Sequence, residues 1–266
     1  MVDRVLVTGG AQRLGAELVR AFARAGWEVW CHYQHSEQQA ADLRSELREA
    51  GRRVDIVRAD LARQEEVIAL IGDIEHRSGP LRAVVNNASL FVPDTGATFD
   101  PERARALLEV NLITPMLLGR ELARQQAENP TEDACMIHVL DQKIYNLNPD
   151  YFSYTASKLA LERVIALQAQ ALAPRVRVCG VAPGLMYLSG PQQADNFERA
   201  SRINLLRKPT DPADVARTCV FLAQTTSITG TTLCVDNGQH LVPLERDVMF
   251  VVDELFEKSR CSHGQI

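Results

Sequence analysis

Apolar and polar positions follow two periods in turn along the chain. Short, almost wholly apolar runs fall near residues 4–7, 28–33, 53–58, 82–86, 135–140, 176–182 and 232–235. Between them lie longer stretches in which apolar residues recur every three or four positions, at 13–25, 37–50, 63–77, 102–127, 153–172 and 211–223. The first kind predicts strands and the second helices. Strands apolar on both faces suit a parallel sheet covered on each side by crossover helices. The pattern therefore predicts an α/β fold, a doubly wound parallel sheet forming one domain over residues 1–241. No repeat or Ser/Gly-rich linker divides it.

Two regions break the alternation. Residues 187–210 are polar and read as loop, placed just after a strand end, where open α/β sheets bind their ligands. They are read as a mobile substrate lid, with a long surface connection as the plainer alternative. Residues 242–266 form a C-terminal extension: Asp247 to Phe256 could form a helix, Ser259 to Ile266 look frayed, and the segment is expected to be part of the same domain or an intersubunit contact.

Composition narrows the function. The chain has 266 residues, 46% apolar and 24% charged, inside the ordinary globular range. Twenty-nine Lys and Arg against 34 Asp and Glu leave a net charge of −5, with no basic run to follow nucleic acid or an anionic membrane. The opening Met1-Val2-Asp3-Arg4 places an acid where a secretory signal is basic, and no apolar run approaches a membrane span. Six cysteines form no C-x-x-C pair, and the first five lie in apolar segments, so they read as small core residues and not as metal ligands or disulfides. The expected setting is cytoplasmic and reducing, with no metal.

The first strand runs into Thr8-Gly9-Gly10-Ala11-Gln12-Arg13-Leu14-Gly15 and then a helix. Glycines there allow a tight turn and close approach of backbone N–H groups to a pyrophosphate at the helix N-terminus. The second strand ends at Cys31-His32-Tyr33-Gln34-His35-Ser36, without a carboxylate. An acid at that point would hold the ribose diol of NAD and repel the extra phosphate of NADP. Arg13, His35 and Ser36 offer a cation and donors to a 2′-phosphate instead, so NADP(H) is favoured, with a solvated loop as the alternative for His35. Asp60, followed by Leu61 at the end of the third strand, suits either an adenine amine or a plain helix N-cap.

Tyr154 and Lys158 open a helix four residues apart, which stacks both side chains on one face. An ammonium nearby is expected to lower the phenol's pKa and make it a usable proton donor. Pro115, four residues after Asn111 in a helical stretch, has no N–H for the carbonyl of Asn111, and reads either as freeing that carbonyl or as a packing kink.

Together, Thr8-Gly9 to Gly15, Asn86-Asn87-Ala88, Asn111, Tyr154-x-x-x-Lys158, Pro183-Gly184 and the closing I-T-G-x-x-x-x-V-D resemble the short-chain dehydrogenase/reductases over roughly residues 3–241. The resemblance implies a Rossmann-type fold, hydride transfer with a nicotinamide nucleotide, a homotetramer or homodimer, and a proton relay through the backbone of Asn111. It also implies cofactor contacts from Gly9, Leu14, Asn87, Ala88, Ser89, Lys158, Pro183, Gly184 and Leu185.

Two departures are more specific. Asp141 stands thirteen residues before Tyr154, where most members carry serine, and Arg13 replaces the middle glycine. A carboxylate suits a substrate offering N–H donors or a reaction needing a second proton source. With His32-Tyr33, Ser36, Asn87-Ala88-Ser89, Phe91, Pro93 and Pro183-Gly184-Leu185, these look like the pteridine and dihydromonapterin reductases. That likeness implies that Arg13 touches both cofactor phosphate and pterin, that Phe91 stacks the pterin against the nicotinamide, and that Asp141 joins Tyr154 in proton delivery. Trypanosomatid members carry an arginine where His35 stands. Phe91 also reads as an apolar residue packing on the core, and Arg246 as reaching a neighbouring subunit's site. The expected activity is NADPH-dependent reduction of a pterin C=N bond. A carbonyl reductase of the 3-oxoacyl or sugar type and a catalytically silent nucleotide-binding regulator are the competing readings.

Overall fold

The structure is a computed structural model and describes residues 2–188 and 192–252. Seven strands form one parallel sheet: β1 (Arg4–Val7), β2 (Glu28–Tyr33), β3 (Val54–Arg58), β4 (Ala83–Asn86), β5 (Ala134–Val139), β6 (Val176–Pro183) and β7 (Thr232–Val235). Their order is β3-β2-β1-β4-β5-β6-β7, so the direction of winding reverses between β1 and β4. Each strand agrees with its expected run to within about one residue at either end.

Alternate residues of the strands face opposite layers. Val5, Val7, Val29 and Cys31 pack with Leu18 and Phe22 of α1 (Arg13–Arg24) and with Val215 and Leu222 of α8 (Pro212–Gln224). Leu6, Trp30, Val84 and Met136 face the other way, against Leu70 and Ile74 of α3 (Gln64–Ser78), Leu118 and Leu122 of α5 (Thr114–Glu128), and Leu161 and Ile165 of α6 (Phe152–Leu172). The remaining helices are α2 (Glu37–Glu49), α4 (Pro101–Leu108) and α7 (Ala194–Ala200). Local chemistry fixes several starts: Asp100 accepts from Glu102 N and Arg103 N with Pro101 in the first turn, and Asp211 caps α8 ahead of Pro212 in the same way.

Three regions differ from the sequence expectation. The helix expected over 102–127 is interrupted by a wide, π-type turn at Glu109–Ile113 between α4 and α5, just ahead of Pro115. A proline cannot supply its N–H to the ladder, and the extra residue is accommodated as a bulge. Within the stretch 187–210, residues 192–210 hold the short helix α7, and Ser201, Asn204 and Thr210 are buried, so this part is more structured than its polarity suggested, while 189–191 lie outside the described residues. The helix expected from Asp247 is seen over 248–252; the rest of that expectation lies outside the described residues.

All strands point their C-terminal ends to the same edge, and β1 and β4 diverge at the switch. A cleft opens there.

Candidate active site

The cleft begins with the loop after β1. Gly9 has φ +60°, and a Cβ on Gly15 would lie 1.9 Å from the carbonyl oxygen of Gly9, so backbone is packed there to the exclusion of any side chain. Two partners hold this loop. His32, buried in β2, accepts from Gly9 N at Nδ1 (3.1 Å), and its Nε2 lies 3.1 Å from Ala59 O, which sets the tautomer with the proton on Nε2. Burial pushes the His32 imidazole down to about 4, so it stays neutral and able to accept. On the other side Thr8 Oγ1 accepts from Asn87 N and Ala88 N, and Asn87 Nδ2 donates to Thr8 O and Gly9 O.

The cleft has a volume of about 630 Å³, within the range of small-molecule sites, and is lined by Gly9, Arg13, Leu14, Gly15, Asp60, Leu61, Asn87, Ala88, Ser89, Asp141, Tyr154, Lys158, Pro183 and Gly184 among others. His32 and Gln34 represent the end of β2 in that lining. His35 is exposed and outside it, while Ser36 sits at its margin, accepting from Gln12 Nε2 at 2.9 Å. Asp60 is not the cap of α3, whose preceding residue is Arg63. Its carboxylate accepts from Ala62 N and faces the cleft. Leu185 lies in the adjoining cavity, its N–H donating to Gln239 Oε1. At Gly184 a Cβ would come within 2.9 Å of the backbone of Asp236, so the chain passes there only as glycine.

The second cavity, about 260 Å³, shares Arg13, Ser89, Asp141, Tyr154 and Gly184 with the first. At the junction Tyr154 Oη donates to Asp141 Oδ2 at 3.0 Å, and Asp141 Oδ1 accepts from Lys143 N at 2.9 Å. Lys158 donates to Val139 O at 2.9 Å, with its ammonium 5.8 Å from the centre of the Tyr154 ring. Burial pulls the Lys158 ammonium down to about 8. Burial, then the Asp141 charge, push the Tyr154 phenol up, against the lowering that Lys158 alone was expected to cause. Enclosure also raises the Asp141 carboxyl, opposed by its bonds from Lys143 N and Tyr154. Both groups of the pair therefore hold their protons more tightly than they would in water, which makes the Asp141 carboxyl easier to keep protonated and the Tyr154 phenol by itself a weaker acid.

Asn111, fully buried in the π-type turn, holds this end together. Its Oδ1 accepts from Ser89 Oγ and Leu90 N, and its Nδ2 donates to Leu90 O and Ser157 Oγ. Phe91 stacks on Tyr151 with ring centres 4.2 Å apart and meets Tyr154 edge-on at 4.6 Å, yet stays 41% exposed on the cavity wall. Tyr151 precedes α6 with φ +54°, a conformation sparsely adopted by large side chains, and Arg13 has φ +51°. The guanidinium of Arg13 donates to Leu188 O at 2.6 Å and lies over the Tyr187 ring. Arg246 is engaged within its own chain, in a two-pronged bond to Asp150 with distances of 2.7–3.0 Å.

Sequence reasoning left Thr8, Lys143 and Tyr151 without a role. Each had a faint signal only in retrospect: Thr8 ends an apolar strand, and Lys143 follows Asp141 by two positions.

A parallel sheet with a dinucleotide-sized cleft at its switch point, and a tyrosine and lysine side by side on the helix beside it, defines a nucleotide-dependent oxidoreductase of Rossmann type. The short-chain dehydrogenase/reductase family model described as enoyl-(acyl carrier protein) reductase matches residues 9–240. The chain belongs to that family. It is 26% identical over 237 residues to the dihydromonapterin reductases of Citrobacter koseri and of an Escherichia coli strain, covering 89% of this chain and 96% of each relative. Two crystal structures titled FolM alternative dihydrofolate reductase 1 are 35% identical to it with TM-scores of 0.84. One is from Brucella canis complexed with NADP, covering 90% of this chain and 94% of the other. The second is from Brucella suis in complex with NADP, covering 91% and 97%.

Proposed function

We propose that this protein is an NADPH-dependent reductase of a pterin-type C=N bond, converting a dihydropterin to a tetrahydropterin. The observation that carries the reading is the Asp141 carboxyl bonded to the Tyr154 hydroxyl where the two cavities meet. A reduced ring nitrogen must gain a proton, and this hydrogen-bonded hydroxyl and carboxyl stand at the junction to supply it. The names of the relatives and the NADP in the Brucella structures support the same substrate class and cofactor.

The cleft fits NADP(H). The backbone at Gly9 and Gly15 is closed to side chains, leaving its N–H groups for phosphate, and no carboxylate ends β2 to repel a 2′-phosphate. Arg13 and Ser36 would take that phosphate end, with His35 a solvent-side contributor. Asp60 would accept from the adenine, and Lys158 would hold the nicotinamide ribose. When bound, the cofactor supplies the hydride. Within the chain, Tyr154 and Asp141 share the proton that goes to nitrogen, Phe91 offers a flat wall to the heterocycle, and Arg13 spans both cavities. Residues 187–210, tied to Arg13 through Leu188, act as the lid of a single reductase domain over 1–241.

Association into a homotetramer is part of the proposal, supported by Ile113 just before α5, Met116 on α5 and Leu167 on α6, apolar side chains left exposed. A cytoplasmic setting is supported by five free cysteines among the described residues. No helix of the described residues is long and apolar enough to cross a membrane.

The test follows NADPH absorbance with dihydrobiopterin, dihydromonapterin and a ketone panel, in wild type and in Asp141→Ser. The expected outcome is rapid dihydropterin-dependent oxidation that collapses in the variant while cofactor affinity holds. Turnover of ketones alone, or turnover indifferent to Asp141, would return the protein to general carbonyl reduction. Cofactor binding without any turnover would leave a nucleotide-binding regulator.

A further inference from the structure

The family model stops at residue 240, yet the chain beyond it builds part of the substrate cavity. Asp247, Val248 and Met249 line the 260 Å³ space together with Phe91 and Asp141. The segment is fastened at several points. Arg246 grips the buried Asp150, and Asp247 N donates to Asp150 Oδ2 at 2.7 Å. Tyr151 donates to Met249 Sδ, and Asn196 of α7 donates to Met249 O. Val248 and Val252 are buried with Ala200.

Lys143 is the unusual member. It is 3% exposed, within the short turn that carries Asp141, and its ammonium donates to Asn148 Oδ1 and to Asp247 Oδ2 at 3.1 Å. A lysine is enclosed to this degree only with a partner. Asp247 supplies that charge, and Lys143 in turn holds the Asp247 carboxylate at the cavity wall, where its side chain keeps 23% exposure. Its oxygens already accept from Lys143 and Met249 N, and a carboxylate has lone pairs for further donors.

We infer that Asp247 is a specificity-determining residue, positioned by Lys143, which favours a dihydropterin carrying a neutral, hydroxylated side chain over one carrying a carboxylate-bearing tail. Hydroxyl groups can donate to Asp247, whereas a tail carboxylate meets a like charge. The charged and titratable groups around Asp247 are Lys143 from the 142–145 turn, Asp141, Tyr154 and Tyr151, the Asp150–Arg246 pair, and Arg13 in the same cavity lining. This inference rests on the pterin reading of the site.

Binding separates the two. Calorimetric affinities of dihydromonapterin and dihydrofolate for the NADP⁺-loaded protein are measured in wild type, Asp247→Asn and Asp247→Glu, alongside NADPH turnover. The expected result is tighter binding of dihydromonapterin to wild type. The ratio should shrink by about fivefold or more in Asp247→Asn, from loss of one nearby charge, and survive in Asp247→Glu, which keeps it. In Asp247→Asn the pH dependence of turnover should also move to lower pH, because the Asp247 charge raises both Asp141 and Tyr154. An unchanged ratio in Asp247→Asn, an equal loss in both variants, or a wild type that prefers dihydrofolate would overturn the role of Asp247. Failure of wild type to bind either pterin would instead overturn the pterin reading itself.

Discussion

The hydroxyl of Tyr154 donates to Asp141, so the phenol's proton is shared with a neighbour that competes for it. Removing that hydroxyl should leave the cleft intact, because the ring packing of Tyr154 on Phe91 does not depend on it. Tyr154→Phe should therefore lower kcat by about 10²–10⁴-fold, the usual contribution of a positioned proton donor, with cofactor affinity nearly unchanged. Stopped-flow reduction alongside a fluorescence titration with NADPH checks it, and parallel losses in both would give the hydroxyl a binding role. The Tyr154–Lys158 pair was legible in five letters of sequence. The direction of the phenol's pKa was not, because enclosure and the charge of a residue thirteen positions away decide it together.

At the scale of elements, the sheet carries two neutral histidines. His32 links β2 to the glycine loop after β1, and His138 in β5 lies between Asn86 Nδ2 and Gln168 Oε1. Burial pushes both down to about 4, from an ordinary value of 6.5. Between those limits the unfolded chain binds protons that the folded chain refuses, so stability falls as pH drops from 6.5 toward 4 and is fully present above 6.5. Each ring accounts for about 3 kcal/mol across that window. Thermal melts followed by circular dichroism should show Tm dropping steeply through it, and a flat Tm would mean the rings charge in place. The histidines are visible in apolar strands, and so is Pro115. The π-type turn at Asn111 was not visible, because a proline in a helical pattern permits either a kink or a bulge, and packing against Ser89, Leu90 and Ser157 chooses.

Across the whole molecule, the segment after residue 241 ties the last part of the chain to the loop before α6. The asymmetry of the Asp150–Arg246 pair makes a specific prediction. Asp150 is enclosed, with a side chain 6% exposed, while the side chain of Arg246 is 51% exposed. Arg246→Ala would leave a buried carboxylate without its counter-charge, whereas a guanidinium left alone can turn to water. Arg246→Ala should thus lower Tm more than Asp150→Asn does, and the double variant should recover part of the loss. A larger loss in Asp150→Asn would show that the backbone bond to Asp247 N, and not the charge pair, fastens the segment.

The chain's own periodicity determined the sheet, the order of its elements and the edge at which ligands meet it. Strand and helix periods are local, and a βαβ crossover has one favoured hand. The glycine turn, the missing acid after β2, and Tyr154 with Lys158 are likewise short-range patterns with direct chemical meaning. The tertiary structure decided what depends on distant contacts. It set Thr8 and His32 as the holders of the glycine loop, the proton affinity of Asp141, and the enclosure of Lys143 by Asp247, 104 positions on. Hydrogen bonds and desolvation are properties of neighbours in space, and no local period records who those neighbours are.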